Sequence, residues 1–254
     1  MSNITWNTPP QKMILSSNNI HIWRANLHLP IEQIETFFQT LSADEKIRAE
    51  KFHFDRHRNF FIAARGILRA ILSRYLEIKP HQLRFNYSTR GKPEIAENCG
   101  VKNLEFNLSH SEEIAIYGIT CASKIGIDIE KIRSIDDAEQ IAKRFFAARE
   151  CSWLSEISPS EKPAAFFRLW TCKEAYLKAI GEGLAFGLDR FEISFSSSES
   201  PTIISIQGSD RIEIPWFLQQ LTPVSGYVGS VAVKVDNPCF HYWQWPGNYT
   251  NSNS

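Results

Sequence analysis

The 254 residues carry 28 lysines and arginines against 28 aspartates and glutamates, so the formal net charge is zero and the isoelectric point lies near 7.1. That balance excludes a globally basic nucleic-acid binder and an acidic disordered tail. With 43% hydrophobic and only 22% charged residues the chain has the apolar material for a packed core, and its length suits one large domain or two modest lobes.

The chain opens on MSNITWNTPPQKMILSS, which has neither the basic start nor the apolar run of a secretory signal. Ser42 with Glu45 three residues on predicts a capped helix start. A longer helix follows, because Phe60, Phe61, Ala64, Ile67, Leu68, Ile71, Leu72 and Tyr75 recur at three- and four-residue spacing up to the break at Pro80. Arg65 and Arg69 interrupt this most apolar segment, which falls short of the ~20 residues a membrane span needs. Strands are predicted over 104–108, 114–120 and 125–130. Asp136 and Glu139 then open a helix bearing Ile141, Phe145 and Ala148. A third strong helix is capped by Ser160, tolerates Pro163 in its first turn and stops at Gly181 and Gly183. Strands return over 191–195, 202–207, 211–215 and 227–235, and the mixture predicts an α+β fold. Five cysteines, an odd number with no Cys-x-x-Cys pair, fit reduced thiols in a cytoplasm.

The charges are not evenly spread. Residues 46–74 hold eight bases and two acids, whereas residues 126–161 hold eight acids and five bases. A basic helix face is a solvated surface unless an anion binds there. His53 and His57 have a metal-ligand spacing, but the sequence offers no third ligand beside them.

The segment 125-IGIDIE-130 alternates, placing Asp128 and Glu130 on one side of a strand, ~7 Å apart along the backbone. This is either a solvated acidic face or part of a cation site. On the third helix Phe166, Trp170, Glu174 and Lys178 are spaced by four, so Glu174 and Lys178 occupy successive turns of one stripe. Taken alone they are an ordinary surface pair. Joined to Asp128 and Glu130, Glu174 would complete an all-oxygen donor set of the kind that suits Mg²⁺ and phosphate oxygens, with Lys178 meeting the phosphate.

Four pieces in order, 90-RGKP-93, 106-FNLSH-110, 126-GIDIE-130 and 170-WTCKEAYLKAIGEGL-184, make the chain resemble the large, surfactin-synthetase-activating type of 4′-phosphopantetheinyl transferase over most of its length. The resemblance implies transfer of phosphopantetheine from coenzyme A to a serine of an apo acyl or peptidyl carrier protein, as in a holo-acyl-carrier-protein synthase, with release of adenosine 3′,5′-bisphosphate. It implies Mg²⁺ on Asp128, Glu130 and Glu174, and pyrophosphate contacts from Lys173 and Lys178. Lys46, Arg65, Lys92, Ser109 and His110 would hold the 3′-phosphate and adenosine. Glu174 is the candidate base, acting directly or through a metal-bound water.

The implied fold is two pseudo-symmetric α+β lobes, each a small, mainly antiparallel sheet packed with helices. The active site lies in the cleft between them. Residues 1–125 form the nucleotide side, and residues 126–254 the lobe of the metal-binding acids and the catalytic helix. A cytoplasmic monomer with no nucleic-acid or membrane partner is expected. The acid- and aromatic-bearing region around Phe145, Phe146 and Trp153 is the place to look for carrier docking.

Overall fold

A computed structural model describes residues 4–96, 103–183, 186–195, 201–206 and 216–247. Within them one order of elements occurs twice. The first run is β1 (Asn19–Asn26), helices α1 (Ile31–Thr40), α2 (Ala43–Glu50) and α3 (Asp55–Leu76), then β2 (Phe85–Tyr87), β3 (Pro93–Ile95), β4 (Leu104–Ser111) and β5 (Ile114–Cys121). The second is β6 (Ile125–Lys131), helices α4 (Ala138–Phe145), α5 (Ala148–Glu156) and α6 (Lys162–Ile180), then β7 (Phe191–Ser194), β8 (Thr202–Ile206), β9 (Phe217–Leu221) and β10 (Tyr227–Val233). In each run the leading strand pairs antiparallel with the last, which pairs antiparallel with the one before it. The two short strands between form a hairpin of their own. The architecture is α+β, with small antiparallel sheets packed by helices.

The last strand, β11 (Cys239–Gln244), breaks the repeat: it runs parallel beside β1 and completes a sheet of order β11-β1-β5-β4. Assigning all of 126–254 to the second lobe is therefore corrected for this strand. It gives β1 a partner for an otherwise open edge, and the Arg24 side chain donates to Gln244 Oε1 at 2.6 Å across the new pair. β1 is also buried on both faces, Trp23 and Ala25 facing the core beneath α1 and α3 while Ile20 and Ile22 face a core shared with Ile125, Ile127 and Val231.

The helix expected from Ser42 is α2, and Glu45 Oε2 accepts from the Ser42 N–H at 3.0 Å. Glu45 is also buried against two residues of the basic stripe, with Arg65 and Arg69 each 2.6 Å from its carboxylate. Arg69, fully buried, donates further to the carbonyls of Pro80 and Leu83. Burial alone would raise the Glu45 carboxyl, but the two guanidiniums overcome it and hold it below the usual carboxylate range. Part of the basic stretch is thus internal.

The helix expected from Asp136 through Ala148 is two helices. Phe146 is extended between α4 and α5, and the Ala147 N–H opens the second one by donating to Glu150 Oε2 at 2.8 Å. The aromatics considered for docking pack inward: Phe146 is buried against Phe166, and Trp153 stacks on Phe195. α6 is capped by Glu161, one residue after the expected Ser160, carries Pro163 in its first turn and ends at Gly181, whose φ of +80° suits only glycine well. Among the described residues no helix is long and apolar enough to cross a membrane. The strand expected over 211–215, Cys99 and the polar end from Asn248 lie outside the described residues.

Candidate active site

The site is built where α6 lies on β6. Gly126 lets them meet: a Cβ there would stand 2.0 Å from the carbonyl oxygen of Ala175 and 2.3 Å from the nitrogen of Ala179, so no side chain fits between helix and strand. Asp128 and Glu130 follow on the same face at every second residue, while Ile125, Ile127 and Ile129 are buried on the other. Asp128 is itself buried, which rules out the solvated acidic face. Its Oδ1 lies 2.7 Å from the Lys178 ammonium and 2.9 Å from Ser109 Oγ, and Lys178 also donates to Ser109 at 3.0 Å. Strand, helix and β4 thus meet at one carboxylate.

β4 supplies a side chain at every second position. Asn107 Oδ1 accepts from the Ile127 N–H at 2.9 Å, Ser109 meets Asp128, and Ser111 Oγ lies 3.0 Å from Glu130 Oε2. Reading 106-FNLSH-110 as a motif found Ser109 and missed Asn107 and Ser111; the alternation along 107, 109 and 111 was the available signal. Lys92 reaches across from the β2–β3 hairpin and donates to the carbonyls of Ile125 and Lys178, at 3.1 and 2.9 Å. Beside it a cavity of about 230 Å³ is lined by Arg90, Lys92, Asn107, Lys178, Gly181 and Gly183, from both runs of elements.

Comparison with known proteins bears on what this site does. Residues 124–232 match the model of the 4′-phosphopantetheinyl transferase superfamily, and residues 28–121 match that of a 4′-phosphopantetheinyl transferase N-terminal region. The 4′-phosphopantetheinyl transferase HetI of Nostoc sp. is 41% identical over 229 residues, covering 90% of this chain and 93% of that protein. The chain belongs to the 4′-phosphopantetheinyl transferases. A putative 4′-phosphopantetheinyl transferase of Synechocystis sp. is 32% identical over 66% of this chain and 68% of its own. The 4′-phosphopantetheinyl transferase Sfp of Bacillus subtilis is 31% identical over 64% of this chain and 70% of its own.

In this transferase the expected acids form an incomplete donor set. Two buried carboxylate oxygens, Asp128 Oδ2 and Glu174 Oε1, have no hydrogen-bond partner. One oxygen of Glu130, Oε2, is held by Ser111 at 3.0 Å and by Arg133 at 3.4 Å. Among the described residues no three acids, histidines or cysteines converge as a finished metal cage. Unpartnered buried carboxylate oxygens are costly unless something positive meets them, so the chemistry of this pair fits a hard cation with oxygen ligands. Burial, then the nearby charges of Asp128 and Glu130, raise the Glu174 carboxyl against the opposing pull of Lys178.

The other expected residues divide. Lys173 is corrected. It points away from Lys178 into the second core, fully buried, 2.8 Å from Glu150 Oε2 and donating to the carbonyls of Leu188 and Phe191. Five positions along a helix turn a side chain about 140° from its predecessor, so one of the two lysines faces β6 and the other cannot. Arg65 is committed to Glu45 and to Tyr87 Oη at 3.1 Å, with Phe85 under its guanidinium. Lys46 lies on α2 with its ammonium over the Phe38 ring. His110 is exposed at the end of β4; crowding by protein, then the charges of Lys178 and His57, lower its imidazole.

Proposed function

We propose that the chain transfers phosphopantetheine from coenzyme A to a serine hydroxyl of an acyl or peptidyl carrier protein, dependent on Mg²⁺ and in the cleft between its two halves, releasing adenosine 3′,5′-bisphosphate. The observation that carries this reading is the pair of partnerless buried oxygens, Asp128 Oδ2 and Glu174 Oε1, beside the Lys178 ammonium. Asp128, Glu174 and Glu130 would hold the cation, which when bound draws charge from the attacked phosphate.

Glu174 takes the proton of the incoming serine. A base must be ionised to take that proton, so protonation of Glu174 at low pH stops transfer. The serine oxygen bonds to the β-phosphorus as the bond from that phosphorus to the bridging oxygen breaks, and the electron pair leaves on the nucleotide. Lys178 offsets charge on the phosphates, held in place by Asp128 and Ser109. Lys92, Ser109, His110 and Lys46 contact the nucleotide phosphates. Arg65 serves them indirectly, fixing Tyr87 at the foot of the hairpin that carries Lys92.

The test is to incubate the purified protein with coenzyme A, Mg²⁺ and a panel of apo carrier domains and read the intact mass of each. A carrier that gains phosphopantetheine on its serine is the expected result. A panel in which none does refutes the proposal.

A further inference from the structure

We infer that Ser111 is a positioning residue for Glu130, doing for that carboxylate what Ser109 does for Asp128; the inference rests on reading the three acids as cation ligands. The two serines share one face of β4, two residues apart. Each hydroxyl is met by a donor and faces a carboxylate of β6. Ser109 Oγ accepts from the Lys178 ammonium at 3.0 Å and lies 2.9 Å from Asp128 Oδ1. Ser111 Oγ accepts from the Lys131 N–H at 3.1 Å and lies 3.0 Å from Glu130 Oε2.

A hydroxyl has one proton, and an N–H arriving on its oxygen leaves that proton to point at the carboxylate. Ser111 therefore donates to Glu130, fixing one carboxylate oxygen and leaving the other for a ligand. This is the arrangement by which outer partners orient metal-binding acids. Arg133 reaches the same Glu130 oxygen only at 3.4 Å with its side chain 61% exposed, so water competes with it. Ser111, half-buried and anchored by backbone, is the group that sets where Glu130 points.

The experiment is a Mn²⁺ titration, followed by the paramagnetic resonance of the free ion, on the full chain with coenzyme A present and no carrier. Wild type is compared with Ser111→Ala, Ser111→Thr, Glu130→Gln and the Ser111→Ala/Glu130→Gln double variant, each with its melting temperature. Ser111→Ala is expected to bind Mn²⁺ about tenfold more weakly, and Ser111→Thr to bind as wild type does. The double variant is expected to bind no more weakly than Glu130→Gln alone. Wild-type affinity in Ser111→Ala overturns the inference. So does a loss that persists undiminished in the Glu130→Gln background, which would trace it to the Lys131 backbone instead. A wild type that binds no Mn²⁺ overturns the cation reading itself, and the inference with it.

Discussion

Gly126→Ala is the smallest change that tests the way α6 and β6 assemble the site. The added methyl would stand 2.0 Å from the Ala175 carbonyl oxygen, 2.3 Å from the Ala179 nitrogen and 2.9 Å from the Lys178 carbonyl carbon, all of them backbone. Ordinary contact begins near 3.4 Å, so no rotamer change relieves the clash and helix and strand must part by more than an ångström. Overpacking of this kind costs about 1–3 kcal/mol, and in a chain of this size each kcal/mol lowers the melting temperature by about 2–4 °C. The same displacement separates Lys178 from Asp128, now 2.7 Å apart, and strains both Lys92 hydrogen bonds that tie the strand to the helix end. A misplacement of about 1 Å can reduce turnover by about 100-fold. Gly118→Ala is the milder control, because its methyl would press on side-chain ends, Ile125 Cδ1 at 2.8 Å and Ile127 Cδ1 at 3.6 Å, and on no backbone atom among its nearest neighbours. Carrier modification followed by intact mass, with thermal melts, gives both quantities. A Gly126→Ala protein that melts and turns over like wild type would refute the reasoning.

Two further predictions separate structural from functional charge. Lys173→Met leaves Glu150 buried without its partner and should cost about 3–5 kcal/mol. In the protein that still folds at low temperature the KM for coenzyme A should be unchanged, and a raised KM at full stability would return Lys173 to the phosphates. His21 is buried, its Nδ1 2.8 Å from Tyr75 Oη, and burial followed by the charge of His241 lowers its pKa from 6.5 to about 4. Because the folded value lies below the unfolded one, the unfolded chain takes up the proton first. Stability should therefore fall by up to about 3 kcal/mol as pH drops from 6.5 to about 4. His21→Gln should flatten that fall in urea titrations, and an unchanged slope would count against the assignment.

Elements with a clear face were legible in the sequence. The Phe60–Tyr75 stripe became α3, and Gly181 ended α6 as a glycine after a periodic run should. β1 was not legible, since both its faces are buried in different cores and it shows no polar side to the solvent. α1 follows Pro30 with no serine, threonine, aspartate or asparagine to mark its start, so it gave no capping signal. β11 pairs with a strand more than 200 residues away, a relation no local pattern can hold. Within the site, periodicity put Asp128 and Glu130 on one strand face and Glu174 and Lys178 on one helix stripe; that Lys178 meets Asp128 needed the fold. The direction of Lys173 follows from the same helical geometry, but its partner Glu150 lies on another helix and was invisible until the fold was known. The basic stretch misled for a related reason: a charged residue can be held inside by an acid from elsewhere, as Glu45 holds Arg65 and Arg69.

Single-turnover modification of an apo carrier by Glu174→Gln beside wild type, with coenzyme A and Mg²⁺, tests the central claim most directly. The amide removes a buried carboxylate that Asp128 and Glu130 repel, so the variant should melt at or above the wild-type temperature. With the proposed base replaced it should transfer phosphopantetheine at least about 100-fold more slowly. Wild-type modification of the carrier by a fully folded Glu174→Gln protein would contradict the account.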